Sequence, residues 1–141
     1  MFPELITELL KDGYNVNFSA PGHSMYPTIM ANENILVAPI DPAAVRMGDI
    51  ILYRTNGSLI AHRVTLINKM NHNGINTYPD WSFILKGDAS ATYDEPVKDE
   101  QVLGKVISIE RNGCVIDPYS ITHKLGCLAR RLTARFRAIL N

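Results

Sequence analysis

The stretch GDIILYRTNGSLIAHRVTLI, residues 48–67, leaves this chain little choice of fold class. Residues 48–54 are a β-rich run that reads as a buried strand. TNGS at 55–58 supplies the Asn-Gly pair that tight hairpins favour, because both central residues of such a turn take positive φ. Residues 58–67 then return as the partner strand. The same texture recurs on both sides. Residues 15–20 alternate, 34–40 are β-rich and stop at Asp41-Pro42, and 82–88 form a strand ending in a turn. Residues 102–117 read as two strands around Asn112-Gly113, and 68–80 as a polar loop. Only the ends look helical. Leu5, Ile6, Leu9 and Leu10 recur at helical spacing before Gly13, predicting a short helix over 3–11. Ile121, Leu125, Leu128, Leu132, Phe136 and Leu140 form one apolar stripe, predicting a second. The expectation is a mostly β body between two terminal helices.

A length of 141 residues suits one compact domain. The net charge of zero hides an asymmetry: residues 1–117 carry nine Lys/Arg against fourteen Asp/Glu, and 118–141 carry five basic residues and no acid. The chain therefore divides into a β domain at 1–117 and a basic amphipathic tail at 118–141. Such a helix can lie on an anionic membrane surface, giving peripheral contact through 121–140. The plainer reading packs the stripe on the β body and leaves the arginines solvated. Nucleic-acid binding has little support, since residues 121–140 hold a single Phe, Tyr or Trp, Phe136. Cys114 and Cys127 are too few and too loosely spaced for a disulfide framework or a zinc site, and fit a reducing compartment. No metal or cofactor signature is present. No apolar run approaches the roughly 20 residues a spanning helix needs. The acidic start, with Glu4, Glu8 and Asp12, is unlike a secretory signal peptide. These features predict a cytoplasmic or membrane-peripheral protein.

The candidates for chemistry begin with Ser24, in GHSMYPT at 22–28. A serine hydroxyl is a weak nucleophile until a base takes its proton. His23 is adjacent, but in an extended segment neighbouring side chains point to opposite sides. A serine near Gly and Pro is ordinarily only a turn residue. His62 lies in the return strand, where period-2 alternation puts Ile60, His62, Val64 and Leu66 on one face and Ala61, Arg63 and Thr65 on the other. A histidine on an apolar face is commonly a satisfied core residue; it is also what a general base requires. KGDASATYDEP places Asp88 at a strand end and Asp94 six residues on. Either is ordinary turn chemistry, or a carboxylate that folds back to hold His62 in one tautomer.

Taken in order, GxSMxPTI at 22–29, GDIILY at 48–53, HRV at 62–64, KGD at 86–88 with Asp94 beyond it, and VLGKV at 102–106 resemble the signal peptidase I family. The likeness is to the branch that uses histidine where the main bacterial enzymes use lysine, and it covers roughly residues 18–110. It implies coiled antiparallel β-sheets with a shallow groove, in which a peptide or protein substrate binds as an added strand. Small residues near the cleavage site would be preferred. It implies a serine endopeptidase with Ser24 as nucleophile, His62 as general base and Asp94 as orienter. Asp88 would share that role or brace the loop, and Met25 and Pro27 would shape the turn. Three departures stand out. Gly22 occupies the position of a serine that helps the oxyanion, His23 replaces a glycine, and no membrane anchor is visible. Two other readings stay open. One is a Ser-Lys self-cleaving peptidase of the repressor type, for which Lys69 and Lys86 are the available lysines. The other is a peptide-binding module that has lost its chemistry.

Overall fold

In a computed structural model, residues 2–70 and 80–120 are described. The chain runs α1 (Pro3–Lys11), β1 (Val16–Ala20), β2 (Glu33–Pro39), β3 (Ile50–Thr55), β4 (Ser58–Met70), β5 (Asp80–Lys86), β6 (Val97–Lys98), β7 (Val102–Arg111) and β8 (Cys114–Ile116). The strands form one antiparallel eight-stranded sheet in the order β1-β2-β7-β3-β4-β5-β6, with β8 paired to β7. The expected mostly β fold is therefore present, as one continuous sheet rather than several. The predicted helix at 121–140, with its membrane contact, and most of the loop at 68–80 lie outside the described residues.

Among the described residues, two Asn-Gly pairs do what their chemistry predicts. Asn56 and Gly57 take φ of 48° and 77°, and Asn112 and Gly113 take 54° and 78°, which closes the β3–β4 and β7–β8 hairpins. The helix α1 starts with Pro3 in its first turn and buries Ile6 and Leu10 against the sheet. Burial of each such side chain stabilises by about 1.5–3 kcal/mol.

The spine of the molecule is β3. Ile50 and Leu52 enter one apolar core with Ile35, Val37, Val106 and Ile109. Ile51 and Tyr53 enter a second core with Val64, Phe83, Leu85 and Val97. A strand buried on both faces reads as a continuous apolar run, as IILY does.

Two expectations need correction. Leu66, assigned to the inward face with His62, is 47% exposed. The β4–β5 register shifts between Val64 and Leu66, so Thr65 is an extra residue and the alternation resets beyond it. Cys114 is disulfide-bonded, which removes the argument for reduced thiols. A single bridge needs no multi-cysteine spacing pattern to announce it.

Candidate active site

The loop between β1 and β2 carries Ser24. Its base is pinned where the strands separate: the Asn32 amide donates to Ala20 O at 2.8 Å, and Ser19 Oγ to Asn32 O at 3.0 Å. Its far side is held by Arg111, which donates to Thr28 O at 3.0 Å and pairs with Glu33 at 2.6 Å. Residues 24–28 form successive turns rather than an extended segment, with the Tyr26 amide donating to His23 O at 3.1 Å and the Ile29 amide to Met25 O at 2.9 Å. Gly22 enters the turn at φ of 89°, a backbone region that side chains rarely adopt. The Tyr26–Pro27 peptide is cis. Met25 is buried and roots the turn in the first core, while His23 and Ser24 are exposed.

His62 approaches from the middle of β4, opposite Ile51, and is 8% exposed. Its Nε2 is 2.9 Å from Ser24 Oγ, across thirty-eight residues of sequence. Its Nδ1 is 2.5 Å from Asp94 Oδ2. An ionised carboxylate can only accept, so in the neutral ring Nδ1 carries the hydrogen and Nε2 offers its lone pair to the serine hydroxyl. Asp94 is itself tethered. Its amide donates to Leu85 O at 2.8 Å, and Tyr53 Oη donates to the same Oδ2 at 2.7 Å.

Asp88 is brought close but differently employed. It accepts a bidentate pair from Arg63, Nε to Oδ1 at 2.8 Å and Nη2 to Oδ2 at 2.8 Å, and the Thr28 hydroxyl at 2.6 Å. Arg63 also donates to Gly48 O at 2.9 Å. Burial pushes the Asp88 carboxyl up, but Arg63 and Thr28 outweigh it and hold it below the ordinary aspartate range. The same pairing raises Arg63. Beside this clamp, the Ala89 amide donates to Ser24 O at 2.9 Å and the Asp88 amide meets Met25 Sδ at 3.4 Å. Of the two roles open to Asp88, bracing the Ser24 turn is the one its contacts serve.

Gly87 is the residue this arrangement cannot enlarge. A Cβ there would sit 2.5 Å from Ser24 O, 2.6 Å from Ser90 Oγ and 3.1 Å from His62 Nε2. Sequence reasoning registered Gly87 only as the middle of KGD, and Tyr53 only as the end of a buried run. The run of apolar residues could have flagged Tyr53, since a phenol inside a core needs a hydrogen-bond partner.

A cavity of about 320 Å³ opens beside the serine, lined by Phe18, Met25, Ile29, Leu52 and Ala61 among others, with Gly22, Ser24 and His62 at its rim or wall. The lysines of a Ser-Lys reading are engaged on aromatic rings: Lys69 Nζ lies 5.3 Å from the Trp81 centroid and Lys86 Nζ 5.4 Å from that of Tyr93. Among the described residues, no cluster of three or more His, Cys, Asp or Glu is arranged to hold a metal ion, and no helix is long and apolar enough to cross a membrane. No protein-family model matches the chain, and no curated protein matches it.

Proposed function

We propose that the chain is a serine endopeptidase resembling signal peptidase I, acting on peptide or leader segments through an acyl-enzyme on Ser24. The observation that carries the reading is the continuous hydrogen-bonded line from Ser24 Oγ through both ring nitrogens of His62 to Asp94. Ser24 Oγ attacks the scissile carbonyl carbon as its proton passes to His62 Nε2. The resulting imidazolium is stabilised by Asp94. His62 then returns that proton to the leaving amine as the C–N bond breaks. Water repeats the sequence: it gives a proton to His62, attacks the acyl carbon, and Ser24 leaves with the proton restored.

The developing oxyanion needs donors at the serine turn. Among the described residues the Ser24 and Met25 amides donate to no other group, so both are free for that task. The apolar cavity suits an apolar substrate side chain next to the scissile bond. The strand β1 stands at one end of the sheet order, which favours docking of the substrate backbone as a further strand.

The test is cleavage of a peptide library by the purified chain, with cleavage sites read by mass spectrometry. Ser24→Ala and His62→Ala are each expected to remove activity by about a thousandfold or more. Full activity in either variant rejects the mechanism. Cleavage of the chain within itself that survives His62→Ala would point instead to the Ser-Lys reading, and a protein that binds peptides without turnover to the silent module.

A further inference from the structure

We infer that Tyr53 is a positioning residue for the Asp94–His62 pair: its hydroxyl holds the carboxylate in place and moderates how tightly that carboxylate grips the imidazole proton. This rests on the serine-peptidase reading above. The β3–β4 register sets Ile51 opposite His62 and Tyr53 opposite Ile60. Tyr53 and His62 are therefore diagonal neighbours on one face of the hairpin. Tyr53 is 3% exposed, and its Oη reaches Asp94 Oδ2 at 2.7 Å, the same oxygen that His62 Nδ1 meets at 2.5 Å.

Packing alone does not account for the hydroxyl. The ring sits among Val45, Ile51, Val64, Phe83, Leu85 and Val97, a cluster that a phenylalanine would fill as well. What the hydroxyl adds is a neutral hydrogen bond to a carboxylate on an irregular segment, where residues 91–93 and 95–96 are exposed. Burial, and then the hydrogen bond and charge of Asp94, raise the phenol well above its ordinary range, so it remains a donor throughout the working pH range.

The surrounding charges do not duplicate this contact. Arg63 on β4 and Asp88 in the following turn are bonded to each other. Lys86, at the end of β5, lies over Tyr93. Arg54 on β3 pairs with Glu4 of α1, and His23 and Glu95 are exposed. Among the described residues, only His62 and Tyr53 place side-chain donors on the Asp94 carboxylate.

A donor shared with Asp94 Oδ2 withdraws charge from the oxygen that holds the imidazole proton. Without it, the carboxylate keeps that proton more firmly, and the base form of His62 is lost at higher pH. Tyr53→Phe is therefore expected to move the acid limb of the kcat/KM profile upward by about half a pH unit or more. The accompanying loss in kcat/KM is about tenfold. In an Asp94→Asn background the same change should have no further effect. Replacing Tyr53 with 3-fluorotyrosine, a stronger donor of the same shape, should move the limb downward, and keeps the test available if the phenylalanine variant folds poorly.

A titration of the His62 ring by NMR in the substrate-free protein reads the same shift without any turnover. It decides the role of Tyr53 even if the chain proves to cleave nothing. An unchanged acid limb and an unchanged ring titration in Tyr53→Phe would overturn the inference, whatever happens to thermal stability. So would a shift in the opposite direction.

Discussion

Asp88 and Asp94 stand six residues apart in the β5–β6 connection, carry the same side chain, and make different contacts. Asp88 accepts from a guanidinium and a hydroxyl, and ties β4 to the Ser24 turn. Asp94 accepts from a phenol and an imidazole, with no permanent cation on it. A carboxylate held by Arg has its charge already answered, and serves as a brace. In the proposed mechanism, one held by neutral donors keeps its charge for the imidazolium that forms during reaction. The partner, rather than the residue type, decides between brace and orienter.

The sharpest way to break this contrast is to remove the charge from each. Asp94→Asn should lower kcat by about 10³–10⁴ while leaving the melting temperature nearly unchanged. Asp88→Asn should do the reverse: about 1.5–3 kcal/mol of stability lost with the charged pair, and only a modest fall in activity. Steady-state kinetics and thermal melts on the same samples separate the two. If Asp88→Asn were the catalytic lesion and Asp94→Asn the structural one, the assignment would be inverted. The pH dependence has a definite sign. Asp88 is held below its ordinary value of 3.8, so its stabilisation is complete above that value and is lost as pH falls through the lower folded value. The stability gap between the native chain and Asp88→Asn should accordingly close in acid.

Next to Asp88 in the chain, Gly87→Ala attacks the meeting of Ser24 and His62. The added methyl would lie 2.5 Å from a backbone oxygen, Ser24 O, which cannot swing aside as a side chain can. The turn must retreat from His62, and a displacement near 1 Å costs about a hundredfold in rate. Acylation of Ser24 by a serine-directed probe should slow in parallel. Activity near that of the native chain would mean that the serine and histidine need not meet as closely as they do here.

These tests also mark where the sequence was readable. The hairpins at 55–58 and 112–113 were legible because only a few residue types tolerate positive φ, and Asn-Gly carries that information locally. The position of His62 on an inward face followed from period-2 alternation, until the extra residue at Thr65 reset it and left Leu66 outside. A bulge is a property of two paired strands, and one strand's pattern does not contain it. The two-residue strand β6 has too few residues to show a period. The choice between Asp88 and Asp94 depended on which donors fold against each, and those donors come from β3, β4 and the Ser24 turn. His23 was set aside on the premise of an extended segment. The segment is a turn, and His23 is nonetheless exposed while Nε2 of His62 reaches the serine.

The smallest expected effect concerns Gly22, two residues before Ser24. In the resembled family a serine at this position helps the oxyanion, so its absence looked like a loss. The backbone suggests a different cause. Gly22 has φ of 89°, and a Cβ built there meets nothing within 4 Å. Space is not what excludes a side chain; backbone strain of about 1–3 kcal/mol is. Gly22→Ser and Gly22→Ala carry the same strain, and only the first carries a hydroxyl. Both should therefore lower the melting temperature by a few degrees, and their kcat values should agree within about twofold. A serine variant at least tenfold faster than the alanine one would show that a hydroxyl reaches the oxyanion from this backbone. The Ser24 and Met25 amides would then be only part of the donor set. Equal rates would place oxyanion stabilisation on the turn's own amides, as distinct from the Asp88 brace and the proposed Asp94 orienter.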